Sequence, residues 1–323
     1  MNISVCISTY NRSSSLKRTI ESLLKQERLE GIHLEIMIID HNCTDNTRDM
    51  VHGFIANSGM DIKYLFEPKP SLSEARNRAI RDSGGEIIAF TDDDVIVDQL
   101  WVCSIARAFR ETGCDALSGK ILPVYPENTP DWIKDHQEFL NGPFVYRNHG
   151  DESRFYDDTM LPFVGAHMVF RRECFKEHGF FTSEFGPGTD FPYGEDVEMF
   201  YRLFGRKKIY YCAECIVWHV HSPERVTFKY INRWFYQNGL CYTKRKQTVL
   251  ENSKRRFADI PVYLYKDLVL RFLQFVVNIF NSKKRLPAWC RVVWMFGYCI
   301  GSRSILDTKE QRTIYQTQRD LTI

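Results

Sequence analysis

Short apolar runs alternate with longer amphipathic segments over the first hundred residues. The runs "ISVCIST", "LEIMIID", "IKYLFE" and "EIIAF" have the length and apolar content of buried strands. Between them, "SSLKRTIESLLKQ", "CTDNTRDMVHGFIANSG" and "SLSEARNRAIRDSGG" repeat apolar residues at helical spacing, each after a Ser, Thr or Asp that could cap a helix. Strands and helices that alternate in this way predict right-handed βαβ units and a mostly parallel central sheet, hence an α/β fold.

The pattern loosens after residue 99. A predicted helix over 100–112 and a strand around "DALSGKI" precede an irregular stretch, Pro123 to Pro162, that is rich in Pro, Asn, Asp and aromatic residues. Long irregular loops in compact domains are usually functional, so we predict a substrate-binding insertion there. Regular structure returns with "FVGAHMVFRRECF", a helix in "GEDVEMFYRLFG" whose acids lie in its first turn, and a strand in "KIYYCAECIVWHVHS".

The final third is predicted to be a basic, amphipathic helical extension, residues 241–323, that follows a domain of residues 1–240. In "VYLYKDLVLRFLQFVVNIFN" the polar positions form one narrow stripe on a helix that is otherwise apolar, namely Asp267, Arg271, Gln274, Asn278 and Asn281. Neither this segment nor "LPAWCRVVWMFGYCIG", which Arg291 interrupts, is a charge-free span of membrane length. Two interpretations remain: core helices, or interfacial helices on an anionic membrane with Trp289 and Trp294 at headgroup depth. The basic run "KRKQTVLENSKRR" favours the membrane.

Composition narrows the class of protein. With 44% hydrophobic and 26% charged residues the chain is globular, and a net charge of +2 gives it no general attraction to nucleic acid. The ten cysteines are scattered, mostly within apolar runs, which predicts reduced core thiols and a cytoplasmic compartment. The pair in "CAEC" has no second pair or spaced His, so no zinc or redox centre is predicted. The N-terminal "MNISVCISTYNR" has no basic region before its short apolar run, so we expect no signal peptide.

Three adjacent carboxylates, Asp92, Asp93 and Asp94, follow the fourth predicted strand. One interpretation is a solvated turn in which an Asp caps the next helix. The other is a cation site, because open α/β sheets bind ligands at the carboxyl ends of their parallel strands and Mg²⁺ prefers oxygen ligands. This stretch alone leaves both interpretations open.

In their order along the chain these segments resemble a family 2 glycosyltransferase with the GT-A fold, of the non-processive type found in bacterial surface-polysaccharide synthesis. The resemblance covers about residues 3–240 and is carried by "ISTYNR", "IIDHNCTDNT", "SLSEARNRAI", "FTDDDV", "FVGAHMVFRREC", "GEDVEMFYRL" and "VWHVHSPERVT". Processive synthases carry a Q-x-x-R-W motif, but here Tyr230 stands in the place of its Gln, before Arg233 and Trp234. The resemblance therefore implies the addition of one sugar per encounter.

The resemblance also assigns roles to residues around a nucleotide-sugar. The implied binding residues are Thr9, Tyr10, Asn11, Arg12, Asp40, Arg76, Asp92, Asp93 and Gly165. Asp40 would meet the base, Arg76 and Asn77 would lie along the nucleotide, and Gly165 would allow a close approach to the sugar. The family's D-x-D motif is a solid triad here, so Asp93 could compete with Asp92 for the ribose or with Asp94 for the metal.

A divalent cation, Mg²⁺ or Mn²⁺, is implied as cofactor, with Asp94 as its ligand and Asp92 beside it, because such a cation stabilises a departing diphosphate. His219 and His221 end a predicted strand, and we expect them to point to opposite faces so that one reaches the metal or the diphosphate. The general base of an inverting transfer is expected to be Asp196, with Glu195 as the second candidate. The alternative for this pair is simple complementation of a helix dipole.

The resemblance, with these residues in place, implies a metal-dependent, inverting, hexosyltransferase-like enzyme. It would move one sugar from a nucleoside diphosphate donor, with UDP expected, to a glycan or polyprenyl-lipid-linked acceptor, while bound peripherally to the inner face of the cell membrane. One alternative is a sugar nucleotidyltransferase, but "STYNRSSS" lacks the glycines of a triphosphate loop. The other is a non-catalytic scaffold that binds nucleotide-sugar, although both acids of the predicted catalytic pair are present.

Overall fold

Strands and helices alternate from the first residues onward. The computed structural model describes residues 1–69, 71–187, 189, 191–245 and 255–320, with the side chains of 245 and 304–320 left out. Its strands are β1 (Asn2–Thr9), β2 (His33–Asp40), β3 (Asp61–Phe66), β4 (Ile87–Asp92), β5 (Val95–Val97), β6 (Ala116–Val124), β7 (Arg154–Phe155), β8 (Met168–Arg171), β9 (Ile209–Val220), β10 (Arg256–Phe257) and β11 (Ile260–Pro261). Its helices are α1 (Ser13–Leu23), α2 (Thr47–Asn57), α3 (Leu72–Asp82), α4 (Trp101–Thr112), α5 (Asp131–Lys134), α6 (Arg172–His178), α7 (Glu195–Leu203), α8 (Phe228–Arg245), α9 (Val262–Val277) and α10 (Ser282–Asp320).

The main sheet has the order β3-β2-β1-β4-β8-β6-β9-β5, with β7 paired to β9. Strands β1 to β4 pair in parallel, as do β6 and β9, whereas β8 runs antiparallel to both β4 and β6. The predicted α/β fold with a mostly parallel central sheet is confirmed. In the parallel register Thr9 lies opposite Asp40 and Ser8 opposite Asp92, so β1, β2 and β4 end level with one another.

Helices cover both faces of this sheet, which explains why its central strands β1, β2 and β4 are buried along almost their whole length. On one face Leu16 and Ile20 of α1 pack with Trp101 of α4 in a cluster that includes Ile3, Val5 and Ile7. On the other face α3, α6 and α7 supply Ala79, Phe175 and Phe200. The carboxyl ends of the strands stay clear of these layers, and the polar loops gather there.

Several details of the first unit differ from the sequence-based expectations. Arg12, and no serine, occupies the N-cap of α1, and the free Ser13 amide donates to Oδ2 of Asp45 at 3.0 Å instead. The predicted cap of α3 is confirmed, because the Ser71 hydroxyl accepts from the Glu74 amide. The short strand β5, which the pattern did not predict, directly follows the aspartates and pairs with β9. The chain therefore rejoins the sheet just after Asp94.

The chain divides into two compact units, one of residues 1–190 and 194–223 and the other of 191–193 and 224–323. The predicted boundary at residue 240 falls inside α8, whose residues all belong to the second unit. Much of the basic run at 244–256, including Lys254, lies outside the described residues.

In the second unit, α8 and α10 approach closely at two glycines. A Cβ at Gly239 would lie 2.0 Å from the carbonyl oxygen of Trp294, and one at Gly297 would lie 2.1 Å from that of Tyr236. Such contacts require glycine because the neighbouring atoms are backbone. The two helices therefore pack backbone against backbone.

The two tryptophans of α10 belong to this packing. The indole N–H of Trp289 donates to Asn232 Oδ1 at 2.6 Å, and that of Trp294 donates to Asn238 Oδ1 at 2.9 Å. Both tryptophans are thus tied to α8, and the prediction that Trp289 and Trp294 lie at headgroup depth stays a prediction. None of the described helices is long and apolar enough to cross a membrane.

Candidate functional site

The site lies where β1, β4 and β9 bring polar residues to one edge of the sheet. Thr9 and Asp92 end their strands side by side, and the turn after Asp92 leads into β5. Because β5 pairs antiparallel with β9, Val95 lies opposite His219, and this register brings the imidazole to the aspartate turn. Sequence alone could not predict this pairing, because more than a hundred residues separate the two strands.

Each aspartate of the triad has a distinct set of partners. Asp93 is buried, accepting from the Thr9 hydroxyl at 2.8 Å and from Arg12 Nη1 at 3.0 Å. The same nitrogen of Arg12 lies 3.0 Å from Oδ2 of Asp94, whose other oxygen is 3.2 Å from His219 Nε2. Asp92, the most exposed of the three, lies 3.6 Å from Arg76 Nη2. Asp93 is thus the anchored member, while Asp92 and Asp94 flank the histidine.

Burial and crowding act against full ionisation of the triad. Burial raises the pKa of Asp92 to about 7, opposed by Arg76 and reinforced by Asp94 and Asp93. Burial also raises the pKa of Asp93 to about 6, although Arg12 opposes it. The pKa of Arg12 is raised, because Asp93 and Asp94 outweigh the opposite effect of its burial. Three carboxylates thus face two arginines, and burial favours the neutral form of Asp92 and Asp93.

A cation site is consistent with these donors. Ligand atoms of Asp92, Asp94 and His219 all lie within 4.8 Å of one another. Two carboxylate oxygens and one imidazole nitrogen form a donor set that suits Mn²⁺ or Mg²⁺ with waters completing the shell. Of the predicted metal ligands, the structure brings together Asp94, Asp92 and His219.

The fourth predicted ligand, His221, lies outside this group. Its Nε2 is 3.2 Å from the carbonyl oxygen of Phe144, and its ring stacks on that of His219 with centroids 4.7 Å apart. The expectation that the two histidines point to opposite faces is wrong, because side chains two residues apart in extended chain share a face. The ring of His221 therefore packs against the ring of His219 on the same face of the strand.

Arg76 connects the aspartate turn to the start of α7. Its buried guanidinium donates from Nη1 to Glu195 Oε1 at 2.8 Å, reaches Asp92 with Nη2, and lies over the ring of Phe181. Burial and the charge of Asp196 raise the pKa of Glu195, while Arg76 opposes the rise. The predicted place of Arg76 along a nucleotide stays a prediction, since the guanidinium is committed to protein carboxylates here.

Gly165 lies directly against the guanidinium of Arg76. A Cβ at Gly165 would lie 2.1 Å from Arg76 Nη2, so the guanidinium fills the space that a side chain would need. The Gly165 amide donates to Asp196 Oδ2 at 2.9 Å. The glycine that was expected to approach the sugar therefore touches both the arginine and the predicted base.

Asp196 and Glu195 have different surroundings at the start of α7. Glu195 is 5% exposed and paired with Arg76, which makes it an internal anchor. Asp196 is half-buried, and its two oxygens accept from the amides of Val197 at 2.7 Å and Gly165. A carboxylate oxygen has a second lone pair, so Asp196 keeps accepting capacity toward solvent or a ligand.

Hydrogen bonds join the loop after β1 to the loop after β2. Asn11, at a positive φ of 52°, accepts through Oδ1 from the Thr44 amide at 2.7 Å and so ties the β1 loop to the β2 loop. Asp40 is buried and accepts from Tyr64 Oη at 2.6 Å and the Cys43 amide at 2.7 Å. Tyr10, half exposed, stacks on His41 with ring centroids 5.4 Å apart. Among the aromatic rings of these loops, the ring of Tyr10 is the most exposed and could contact a ligand.

Sequence reasoning missed one buried arginine that is coupled electrostatically to Asp196. Arg147, in the irregular stretch, is buried, and its guanidinium donates to the carbonyl oxygens of Pro162, Tyr146 and Asn141. Burial lowers the pKa of Arg147, and the negative charge of Asp196 opposes this. No motif marks this arginine; only the fold shows that Asp196 is the carboxylate that acts on it.

Comparison with known proteins identifies the family. The model of glycosyl transferase family 2 matches residues 4–179, more than half of the chain. The chain belongs to glycosyl transferase family 2. A curated relative, the succinoglycan biosynthesis protein ExoM of Rhizobium meliloti, is 29% identical over 134 residues, which cover 42% of this chain and 43% of ExoM. This chain thus matches less than half the length of that relative.

Solved structures support the GT-A fold of this family 2 member. TarS 1–349 of S. aureus in complex with UDP-GlcNAc has a TM-score of 0.56 at 15% identity, covering 96% of this chain and 92% of TarS 1–349. The mannosyltransferase PcManGT of Pyrobaculum calidifontis, in complex with GDP-Man and Mn²⁺, has a TM-score of 0.51 at 14% identity, covering 99% and 82%. At such identities the likeness concerns the fold.

Proposed function

We propose that this chain transfers one sugar, with inversion, from a nucleoside diphosphate-sugar to a hydroxyl group of a glycan or polyprenyl-linked acceptor. The observation that carries the proposal is the connection of two carboxylate groups through Arg76. Asp92 and the cation donors lie on one side of this arginine, and Glu195 and Asp196 lie on the other. A donor's leaving group and an acceptor's hydroxyl need these two environments side by side.

The leaving-group side consists of Asp92, Asp94 and His219, with Arg12 beside them. These three would hold Mg²⁺ or Mn²⁺, which when bound supplies positive charge that stabilises a departing diphosphate. Arg12 is partly exposed and keeps Asp93 fixed through the same nitrogen that contacts Asp94. Its remaining donors are available for phosphate oxygens.

The acceptor side depends on Asp196. The acceptor oxygen would form a bond to the anomeric carbon as the bond from that carbon to the diphosphate breaks. The hydroxyl proton would pass to a carboxylate oxygen of Asp196, which the Gly165 and Val197 amides orient. Glu195 is a positioning residue, because its carboxylate is engaged by Arg76 and buried.

Donor and acceptor are proposed by class. UDP is the expected nucleotide because TarS binds UDP-GlcNAc, although PcManGT binds GDP-Man, so both nucleotides belong in a test. A surface-polysaccharide acceptor is favoured by the likeness to a succinoglycan biosynthesis protein. With such an acceptor the enzyme would work peripherally at the inner face of the cell membrane. Family membership favours glycosyl transfer over sugar nucleotidyl transfer.

The roles of the two acids can be separated by paired variants. Asp196→Asn keeps the shape but cannot accept a proton, so turnover should fall by about a hundredfold to ten-thousandfold with donor affinity nearly unchanged. Glu195→Gln should lower turnover less and should lower stability, because it weakens a buried ion pair. Nucleotide release from UDP- and GDP-sugars with Mn²⁺, together with calorimetric donor affinity, measures both.

Two results would contradict the assignment. Normal turnover of Asp196→Asn with an inactive Glu195→Gln would reverse the roles. Donor binding by the wild type without transfer or hydrolysis under any of these conditions would favour the non-catalytic scaffold.

A further inference from the structure

Helix α9 exposes most of its apolar side chains, and Lys266 is the one charged residue that lies among them. Among its residues only Leu264 is buried. The exposed apolar residues, which we call the α9 apolar face, are Val262, Tyr263, Val269, Leu270, Phe272, Leu273, Val276 and Val277. An ordinary surface helix does the opposite and packs its apolar stripe on the core.

Helical spacing places these residues on one side of α9. At 100° per residue, the α9 apolar face covers about half of the helix circumference. Asp267, Arg271 and Gln274 lie along one flank of this face. Leu264 and Phe275 follow on the side that packs on the protein, where Phe275 contacts Trp289 of α10 at 5.2 Å between ring centroids. The protein therefore holds α9 by a narrow edge and leaves the wide apolar side open.

Positive charge surrounds this face. Residues 255–303 contain nine Lys and Arg but only two Asp, and Lys283, Lys284 and Arg285 are exposed just beyond the end of α9. An apolar side flanked by cations fits a surface of anionic lipid, where acyl chains take the apolar residues and headgroups take the cations. A second copy of the chain fits less well, because a symmetric contact would bring like charges together.

We propose that the α9 apolar face inserts into the interfacial layer of an anionic membrane, with Lys283, Lys284 and Arg285 at the headgroups. This inference is independent of the sugar-transfer chemistry. It places the contact on α9, the first of the two segments that the sequence pattern suggested as interfacial helices.

Flotation of the full-length protein with vesicles tests the proposal directly. The protein should float with vesicles of phosphatidylcholine and phosphatidylglycerol, and should float less with phosphatidylcholine alone or at high salt. Failure to bind the mixed vesicles at low salt would overturn the proposal whatever the variants do.

Variants of exposed residues then locate the contact. Phe272→Ser/Leu273→Ser should weaken binding to mixed vesicles by at least about tenfold, since both side chains leave the acyl region. The matched control is Phe66→Ser/Phe155→Ser, in which two aromatic side chains of similar exposure lie in the other unit; its binding should stay at the wild-type level. Equal losses in the two variants would overturn the proposal.

A charge variant and a mass measurement complete the test. Lys283→Gln/Lys284→Gln/Arg285→Gln should bind mixed vesicles about a hundredfold more weakly and phosphatidylcholine vesicles as before. Light scattering of lipid-free protein should give the same mass for the wild type and for Phe272→Ser/Leu273→Ser. A wild-type dimer that this variant converts to monomer would make the face an interface between copies and overturn the proposal.

Discussion

Replacement of Gly165 by alanine should disrupt the centre of the candidate site. The added Cβ would lie 2.1 Å from Arg76 Nη2. At the surface a long side chain would simply swing aside, but this guanidinium is 3% exposed, donates to Glu195 and lies over Phe181. Alanine must therefore displace the arginine from its partners or move the loop that carries Gly165.

The magnitude follows from the contact that is lost. Removing one partner from a buried ion pair costs about 3–5 kcal/mol, because the other charge stays buried without compensation. Taking about 3 kcal/mol for Gly165→Ala, the melting temperature of a unit of this size should fall by about 6–12 °C. The displaced loop also carries the amide that orients Asp196, so turnover should fall as well.

Gly53→Ala is the matched control. Gly53 is exposed within α2, and a Cβ there would meet nothing within 4 Å. Alanine in a helix interior is favoured over glycine by about 0.5–1 kcal/mol, so this variant should be slightly more stable than the wild type. Urea and thermal unfolding of both variants measure the difference.

A double-mutant cycle with Arg76→Ala decides the mechanism. If the guanidinium is what Gly165→Ala displaces, then Gly165→Ala should cost little in the Arg76→Ala background, and the coupling should approach the full single-variant effect. An equal cost in both backgrounds would refute the reasoning and show that the turn itself requires glycine.

Two further predictions concern the metal donors and a buried histidine. Asp94→Asn should lower the Mn²⁺-dependent affinity for UDP by at least about tenfold in calorimetry. The control is Asp93→Asn, which lies outside the donor group and should still bind UDP more tightly when Mn²⁺ is present. If Mn²⁺ raises UDP affinity equally in the two variants, Asp94 is not part of the metal site. Burial lowers the pKa of His167 to about 3, so the unfolded chain takes up a proton below its ordinary pKa of about 6.5 and the folded chain does not. Stability should therefore fall as pH drops from 6.5, by about 2 kcal/mol at pH 5 from this group. His167→Gln, which keeps an acceptor for the Trp101 indole, should lose that share of the pH dependence in urea unfolding at pH 7 and 5; an unchanged dependence would show that His167 is not responsible.

The sequence pattern predicted those features of the fold that depend on residues close together in the chain. The alternation of strands and helices, the Ser71 cap and the strand that delivers Asp92 depend on neighbouring residues, and the structure has all of them. The pairing of β5 with β9 and the contact of Arg76 with Glu195 join distant segments, and no pattern within a segment encodes them. The hydrogen bond from Trp289 to Asn232 could not be predicted for the same reason, because the two residues lie 57 positions apart.

The structure also explains how three adjacent aspartates are tolerated before any cation binds. Arg12 holds Asp93 and Asp94, and Arg76 lies between Asp92 and Glu195. Two arginines thus face four carboxylates, and burial together with the neighbouring negative charges raises the pKa values of Asp92 and Glu195. With all four carboxylates ionised, the uncompensated charge equals that which one divalent cation would neutralise. Asp92 is the most exposed of the triad and is also one of the donors that such a cation would contact, so a cation from solvent would meet this carboxylate first.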